Sequence, residues 1–180
     1  MAVNRVERLL RKTARALERG GVAYAVIGGN AVAAWVGSVD EEAVRATKDV
    51  DILLRRGDLA DAAKALRRVS LIEDEVLGIT VFLDRRRPNP RTGVHVIFEG
   101  ERIHKHNVLP APSVDASVPA HAGFSVIDLP QLVQMKLDAN RDVDRVHIRD
   151  LMGVGLITAR VVDALPAQLL DRLRQIEKTQ

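Results

Sequence analysis

The 180-residue chain contains no cysteine. That absence removes disulfide frameworks, thiolate zinc sites and cysteine nucleophiles, and makes a cytoplasmic setting the expected one. Long apolar runs are missing too. Charged residues interrupt every hydrophobic stretch well short of the ~20 residues a membrane-spanning helix needs, so no membrane partner is expected. Neither a Gly-x-Gly-x-x-Gly fingerprint nor a Gly-Lys-Ser/Thr run is present, which argues against dinucleotide-binding and P-loop folds. A strong charge of one sign is also lacking: 27 Lys and Arg stand against 24 Asp and Glu, for a formal net charge of +3. The pI near 9.6 overstates this imbalance, because many arginines with a single tyrosine and no cysteine push it upward. Nucleic-acid binding is therefore permitted rather than implied.

What is present describes one globular unit. Hydrophobic residues make up 47% and charged residues 28% of the chain, enough for a real core and incompatible with wholesale disorder. The N-terminal segment carries Arg5, Arg8, Arg11, Lys12 and Arg15. Glu7 and Glu18, and the lack of an apolar region with a cleavage site, argue against a targeting peptide. Val6, Leu9, Leu10, Ala14 and Leu17 recur at helical spacing and predict an amphipathic helix packed on the domain.

Two short segments carry the chemistry. Val22–Ile27 is apolar and β-prone and runs into Gly28-Gly29, after which Asn30 is expected to cap a helix over Ala31–Val36 that closes near Gly37. A strand, a glycine turn and a helix N-terminus together aim backbone amides outward, a cradle for anionic oxygen. Downstream lies Arg45-Ala46-Thr47-Lys48-Asp49-Val50-Asp51-Ile52-Leu53. On a strand, Asp49 and Asp51 project to one face while Val50 and Ile52 face the core. Neighbouring carboxylates repel unless a cation lies between them, and magnesium suits one or two carboxylates plus phosphate oxygens. The alternative for each segment alone is a plain turn or a solvated strand end.

The remainder supplies an α/β order. Asp58 is expected to cap a helix whose Leu59, Ala62, Ala63, Leu66 and Val69 share a face. Gly78–Leu83 and Gly93–Phe98 read as strands joined by a loop carrying Arg85-Arg86-Arg87, Pro88-Asn89-Pro90 and Arg91. That cluster is either a solvated loop tip or a phosphate-contacting loop. Residues 99–122 lose periodicity, Phe124–Ile127 resumes a β pattern, and Asp128 with Pro130 starts the first of several closing helices. The last of these bears an apolar stripe of Leu165, Leu169, Leu170, Leu173 and Ile176. His104, His106 and His121 are expected in surface or packing roles, and His147 is the histidine expected nearest the cleft.

Gly28-Gly29 followed by Arg45-x-Thr47-x-Asp49-x-Asp51 resembles the signature of the nucleotidyltransferase fold superfamily, specifically its small AbiEii-like branch related to toxin nucleotidyltransferases. Leu132–Arg141, followed by Asp144–Leu151, is similar to the Lys, Arg and Asp pattern on the C-terminal helices of that branch. The resemblance spans Val22 to Ile157. It implies an α/β (α+β) fold with a mixed β-sheet flanked by helices. Residues 1–127 would form the core with its N-terminal helix, and residues 128–180 a helical segment packed on it as a single compact unit.

The resemblance also implies roles. Gly28, Gly29 and Asn30, with Arg45, Thr47 and Arg141, would contact a nucleoside triphosphate. Asp49 and Asp51 would hold Mg2+ (or Mn2+). Lys136 would offset phosphate charge, and Asp150 would orient Lys136, Arg145 or a ribose hydroxyl. Relatives commonly place a third carboxylate on a neighbouring strand, where this chain has His95. That imidazole reads equally as a base or ligand and as the mark of an inactive relative; Asp84 and Glu99 are weaker substitutes. The implied function is nucleoside monophosphate transfer to an RNA, protein or small-molecule acceptor, with a toxin role and an antitoxin partner. The competing reading is a silent nucleotide-binding or regulatory module. An Asp-x-Asp glycosyltransferase is disfavoured, because it leaves the glycine turn without a role.

Overall fold

The computed structural model describes residues 2–179. The first helix, α1 (Ala2–Arg19), buries Leu10, Ala14 and Leu17, the apolar face expected from their spacing. It ends in a turn at Gly20-Gly21 that feeds β1 (Ala25–Ile27), all three residues of which are buried. The helix α2 (Gly28–Gly37) follows without a break, β2 (Val50–Leu54) comes after an irregular segment, and α3 (Leu59–Arg67) leads into β3 (Leu71–Val76) and β4 (Ile79–Asp84). Then come β5 (Val94–Phe98), the short β6 (Ser117–Pro119) and β7 (Ser125–Ile127). The chain closes with α4 (Leu129–Ala139), α5 (Asp142–Gly153), α6 (Ala159–Asp163) and α7 (Ala167–Glu177).

The seven strands form one mixed sheet in the order β3-β4-β5-β2-β1-β7-β6. β2 runs parallel to β5 and antiparallel to β1, while β1 runs parallel to β7. Helices flank this sheet: α1 packs on α3 and against β2 and β5, while α2 packs against β1, β2 and β7 and on α4 and α5. One hydrophobic cluster joins the sheet to helices from both ends of the chain, from Leu17 through Ile52 and Phe82 to Leu137, Ile148 and Leu169.

A local expectation differs from the structure, and one strand was not expected. Asn30 is not an N-cap: the helix starts at Gly28, with Ile27 in the cap position, and Asn30 sits inside the first turn. The helix can begin there because Gly28 adopts φ +67°, a left-handed conformation that costs other residues ~1–2 kcal/mol. The strand β3 had no sequence forecast. It pairs with β4 along its whole length through a tight turn in which Leu77 and Gly78 both have positive φ, the two-residue hairpin geometry that matches strand twist. At α4, by contrast, the Asp128 side chain accepts the Gln131 N–H and Pro130 lies in the first turn, as the sequence indicates.

Candidate active site

Asp49 lies in the bend just before β2 and Asp51 is the strand's second residue, and the register sets Asp51 opposite both Ile27 on β1 and His95 on β5. The glycine turn therefore abuts the carboxylates. A Cβ on Gly28 would fall 2.1 Å from Asp51 Oδ2, and one on Gly29 would fall 2.8 Å from Thr47 Cγ2, so a side chain at either position would displace Asp51 or Thr47. Asn30 fixes the approach to β2 from beneath: its amide donates to the Asp49 carbonyl (2.7 Å), and the Thr47 hydroxyl donates to Asn30 Oδ1 (2.9 Å). Asn30 thus positions Asp49 from inside the protein rather than facing a phosphate.

His95 completes the cluster. Its Nδ1 lies 3.4 Å from Asp51 Oδ1 and 4.0 Å from Asp49 Oδ2, and one ligand atom from each of Asp49, Asp51 and His95 falls within 4.8 Å of the others. The Nε2 of His95 meets the Pro90 carbonyl at 2.8 Å. A carbonyl only accepts, so Nε2 carries a proton and Nδ1 is the atom turned to the carboxylates. A histidine held from behind by a carbonyl and presenting its other nitrogen to two carboxylates is an arrangement typical of metal ligation. Hydrogen bonding to Asp51 raises the His95 pKa against the opposing effect of burial. Burial and then the charge of Asp51 raise that of Asp49. Both shifts express a crowded acidic pair seeking positive charge, and the three residues form a candidate metal-binding triad.

These groups open into a cavity of ≈ 550 Å³ whose lining also includes Gly28, Gly29, Thr47, Lys48, Lys136, Arg141, Asp144 and His147. Lys136 of α4 reaches it from a nearly buried position, with Nζ 3.0 Å from Asp144 Oδ1, and Arg141 Nε donates to Asp144 Oδ2 at 2.7 Å. Asp144 had no role in the sequence reading; its signal was its place three residues after Arg141, one helical turn. Asp150 and Arg45 stand outside the lining. The Asp150 carboxylate takes both contacts of Arg45 Nε (2.7 and 2.9 Å), so it orients neither Lys136 nor Arg145. The two instead clasp α5 to the segment that precedes β2. Glu99 turns away toward Ser113 and Val114, and Asp84 toward Arg86 and Lys12; neither replaces the third carboxylate.

No family model and no curated protein matches the chain. Solved structures do. An antigenic nucleotidyltransferase-like protein from Paracoccidioides brasiliensis aligns with a TM-score of 0.66 and 14% identity, over 100% of this chain and 90% of that one. The antibiotic-resistance factor ANT(2'')-Ia aligns in its solution structure with a TM-score of 0.56 and 15% identity, over 99% of this chain and 94% of that one. Its crystal structure in complex with adenylyl-2"-tobramycin gives 0.55 and 14%, over 96% and 97%. The fold is nucleotidyltransferase-like.

In this nucleotidyltransferase-like fold, His147 is a further titratable group of the cavity. Its ring carbon Cε1 lies 3.7 Å from the Cβ position of Gly29, and Nδ1 is buried without a hydrogen-bond partner. Burial first, and the nearby Lys136 charge second, push its pKa down to about 4. The folded protein therefore holds a neutral imidazole where the unfolded chain binds a proton, so stability is lost as pH falls from 6.5 toward about 4. With allowance for partial exposure, the loss is about 1–2 kcal/mol. His147→Gln should lack this component. Urea midpoints measured at neutral and mildly acidic pH should converge less for wild type than for the variant; equal acid sensitivity of the two proteins would refute the assignment.

Proposed function

We propose that the protein is a metal-dependent nucleotidyltransferase that moves a nucleoside monophosphate from a nucleoside triphosphate to a hydroxyl of an RNA, protein or small-molecule acceptor. The observation that carries this reading is the convergence of Asp49, Asp51 and His95 beside the Gly28-Gly29 end of α2. The two carboxylates fit Mg2+ or Mn2+, the imidazole nitrogen suits the transition ion Mn2+ better than Mg2+, and no basic side chain other than His95 pairs with Asp49 or Asp51 among the described residues. Held by Asp49, Asp51 and His95, such a cation would supply positive charge at the reacting phosphate and favour ionisation of the acceptor hydroxyl.

The chain's own groups do the rest. The first amides of α2 and the helix dipole receive phosphate oxygens, and the absence of any Cβ at Gly28 and Gly29 lets those oxygens approach the backbone. Lys136, anchored by Asp144, presents a point charge to the same oxygens, with Arg141 alongside. The acceptor oxygen bonds to the α-phosphorus, the bond to the bridging oxygen breaks, and pyrophosphate leaves with the electron pair. The hydroxyl proton passes to Nδ1 of His95 where that atom is not ligating, and otherwise to solvent. Arg45 and Asp150 belong to the scaffold of this reading, and Thr47 and Asn30 to the positioning of Asp49. The narrower resemblance to the AbiEii-like branch adds a toxin role and an antitoxin partner to the proposal.

The test is incubation with each labelled nucleoside triphosphate, Mg2+ or Mn2+, and total cellular RNA, protein or small-molecule acceptors. Label transfer that chelation removes is the expected result. The second reading, a silent nucleotide-binding module, is favoured by one observation, the imidazole in place of a third carboxylate. It predicts nucleotide binding without transfer.

A further inference from the structure

The loop between β4 and β5 is basic, ordered and in contact with the candidate site. Its Pro90 carbonyl accepts from His95 Nε2 at 2.8 Å. Its last residue, Gly93, accepts the N–H of Val50, the residue between the two aspartates. Asn89 caps a single turn at Pro90–Thr92 by accepting the Arg91 N–H, and Asp84 accepts that of Arg86. On its outer side the loop meets α1. Arg5, Arg8 and Lys12 of the helix and Arg87, Asn89 and Thr92 of the loop line one groove of ≈ 220 Å³.

The charge of this groove is not cancelled. Asp84 is the acidic residue in its lining and lies 3.8 Å from Lys12. Among the described residues, Arg5, Arg8, Arg85, Arg86, Arg87 and Arg91 have no carboxylate within 4.0 Å of their guanidinium groups. A chain of only +3 overall has thus concentrated six arginines free of carboxylate partners on α1 and on the loop that backs His95, with Arg5, Arg8 and Arg87 lining the groove itself. Guanidinium groups spread over such a length match a succession of phosphates, and they repel a polycationic acceptor. A lipid surface is the poorer match, because the apolar face of α1 is spent on the core through Leu10, Ala14 and Leu17 and none remains for insertion.

We infer that the acceptor is a nucleic-acid strand whose phosphates run from the Asp49/Asp51/His95 cluster over the β4–β5 loop into the groove beside α1. This inference rests on the transferase reading for the word acceptor; the binding surface stands independently of it. The transfer is the one already balanced above, with a hydroxyl of the strand as the attacking oxygen.

The test uses fluorescence anisotropy with a labelled single-stranded RNA oligonucleotide, across a range of salt, on wild type and Arg8→Ala/Arg87→Ala. Arg8 and Arg87 are exposed, so the double variant is expected to fold, which circular dichroism checks. The expected result is binding that weakens steeply with salt. In the arginine variant the log–log slope should shrink by about 1.4, for two lost phosphate contacts on a single strand, and Kd at low salt should rise about tenfold. Nucleoside triphosphate binding should be the same in the arginine variant and wild type. RNA binding that ignores the arginine substitutions overturns the inference. So does binding to phosphatidylserine vesicles without binding to RNA. Arginine-dependent RNA binding with no label transfer leaves the surface standing and removes the transferase reading. Undiminished transfer to RNA by the arginine variant does the opposite.

Discussion

Asp49→Ala should transfer no label and yet, with divalent cations chelated, should resist urea slightly better than wild type. The Asp49 pKa is raised by burial and then by the charge of Asp51. A carboxylate raised above its unfolded value of 3.8 contributes stability below that value and loses it as pH rises through the folded pKa, so the neutral-pH protein carries the penalty in full. Alanine removes it. The gain is small, roughly 0.5 kcal/mol, because the Asp49 side chain is 45% exposed and water screens the repulsion. It should vanish in acid, where wild type is protonated in both states. Magnesium reverses the order: at about a hundredfold excess over Kd, a cation adds about 2.7 kcal/mol to the protein that binds it and little to the variant. Loss of the ligand also removes several kcal/mol of charge stabilisation at the reacting phosphate, a rate loss of about 10³ or more. Urea curves with and without Mg2+, alongside label transfer, check all three results. A variant that is less stable than wild type in chelator, or that responds to Mg2+ equally, would sink the assignment.

The parts of this site that were legible in the sequence are those where one residue type has one physical reason. Glycines at 28 and 29 announce a backbone approach that a side chain would block, and the structure supplies the blocked atoms, Asp51 Oδ2 and Thr47 Cγ2. Alternation placed Asp49 and Asp51 together, although Asp49 sits just outside β2, and the family resemblance put His95 across from Asp51. The Asp128 cap of α4 and the apolar stripes of α1 and α7 were legible for the same reason, whereas Asp58, expected to cap α3, makes no side-chain cap hydrogen bond. The strand β3 was not. In Leu71-Ile72-Glu73-Asp74-Glu75-Val76 an edge position leaves the charged residues exposed, so apolar alternation is absent and only pairing with β4 makes it a strand. Asn30 was read as a cap because its side chain suits one; tertiary partners at Asp49 and Thr47 claimed it instead. The charges of α4, α5 and the segment before β2 were hardest. Lys136, Arg141, Arg145, Arg45, Asp144 and Asp150 admit many pairings, and the choice follows from the packing of α4 on α5 and of α2 on both, which is not written in local spacing.

That choice makes Asp144→Ala the substitution with the largest expected effect on stability. Asp144 is 1% exposed and Lys136 7%, and the carboxylate holds both Lys136 Nζ and Arg141 Nε. Burial opposes ionisation of Asp144, but the hydrogen bond from Arg141 and the Lys136 charge outweigh it and leave the pKa below the usual carboxylate range. Removing the carboxylate strands a buried ammonium, at a cost of about 3–5 kcal/mol. A depressed carboxylate contributes stability above its unfolded value of 3.8 and loses it as pH falls through the folded one, so the difference between wild type and variant should narrow in strong acid. Replacing both partners is different in kind. Lys136→Met/Asp144→Leu buries no unpaired charge and should lie within about 1–2 kcal/mol of wild type, so urea unfolding of the four proteins yields a large coupling energy. The same cycle separates structure from function. A nucleoside triphosphate offers the stranded Lys136 of Asp144→Ala new phosphate partners and should stabilise that protein more than wild type, while the double variant, without the ammonium, should gain least. Additive stabilities would dissolve the pair as an anchor, and equal nucleotide-induced stabilisation in all four proteins would remove Lys136 from the phosphate site.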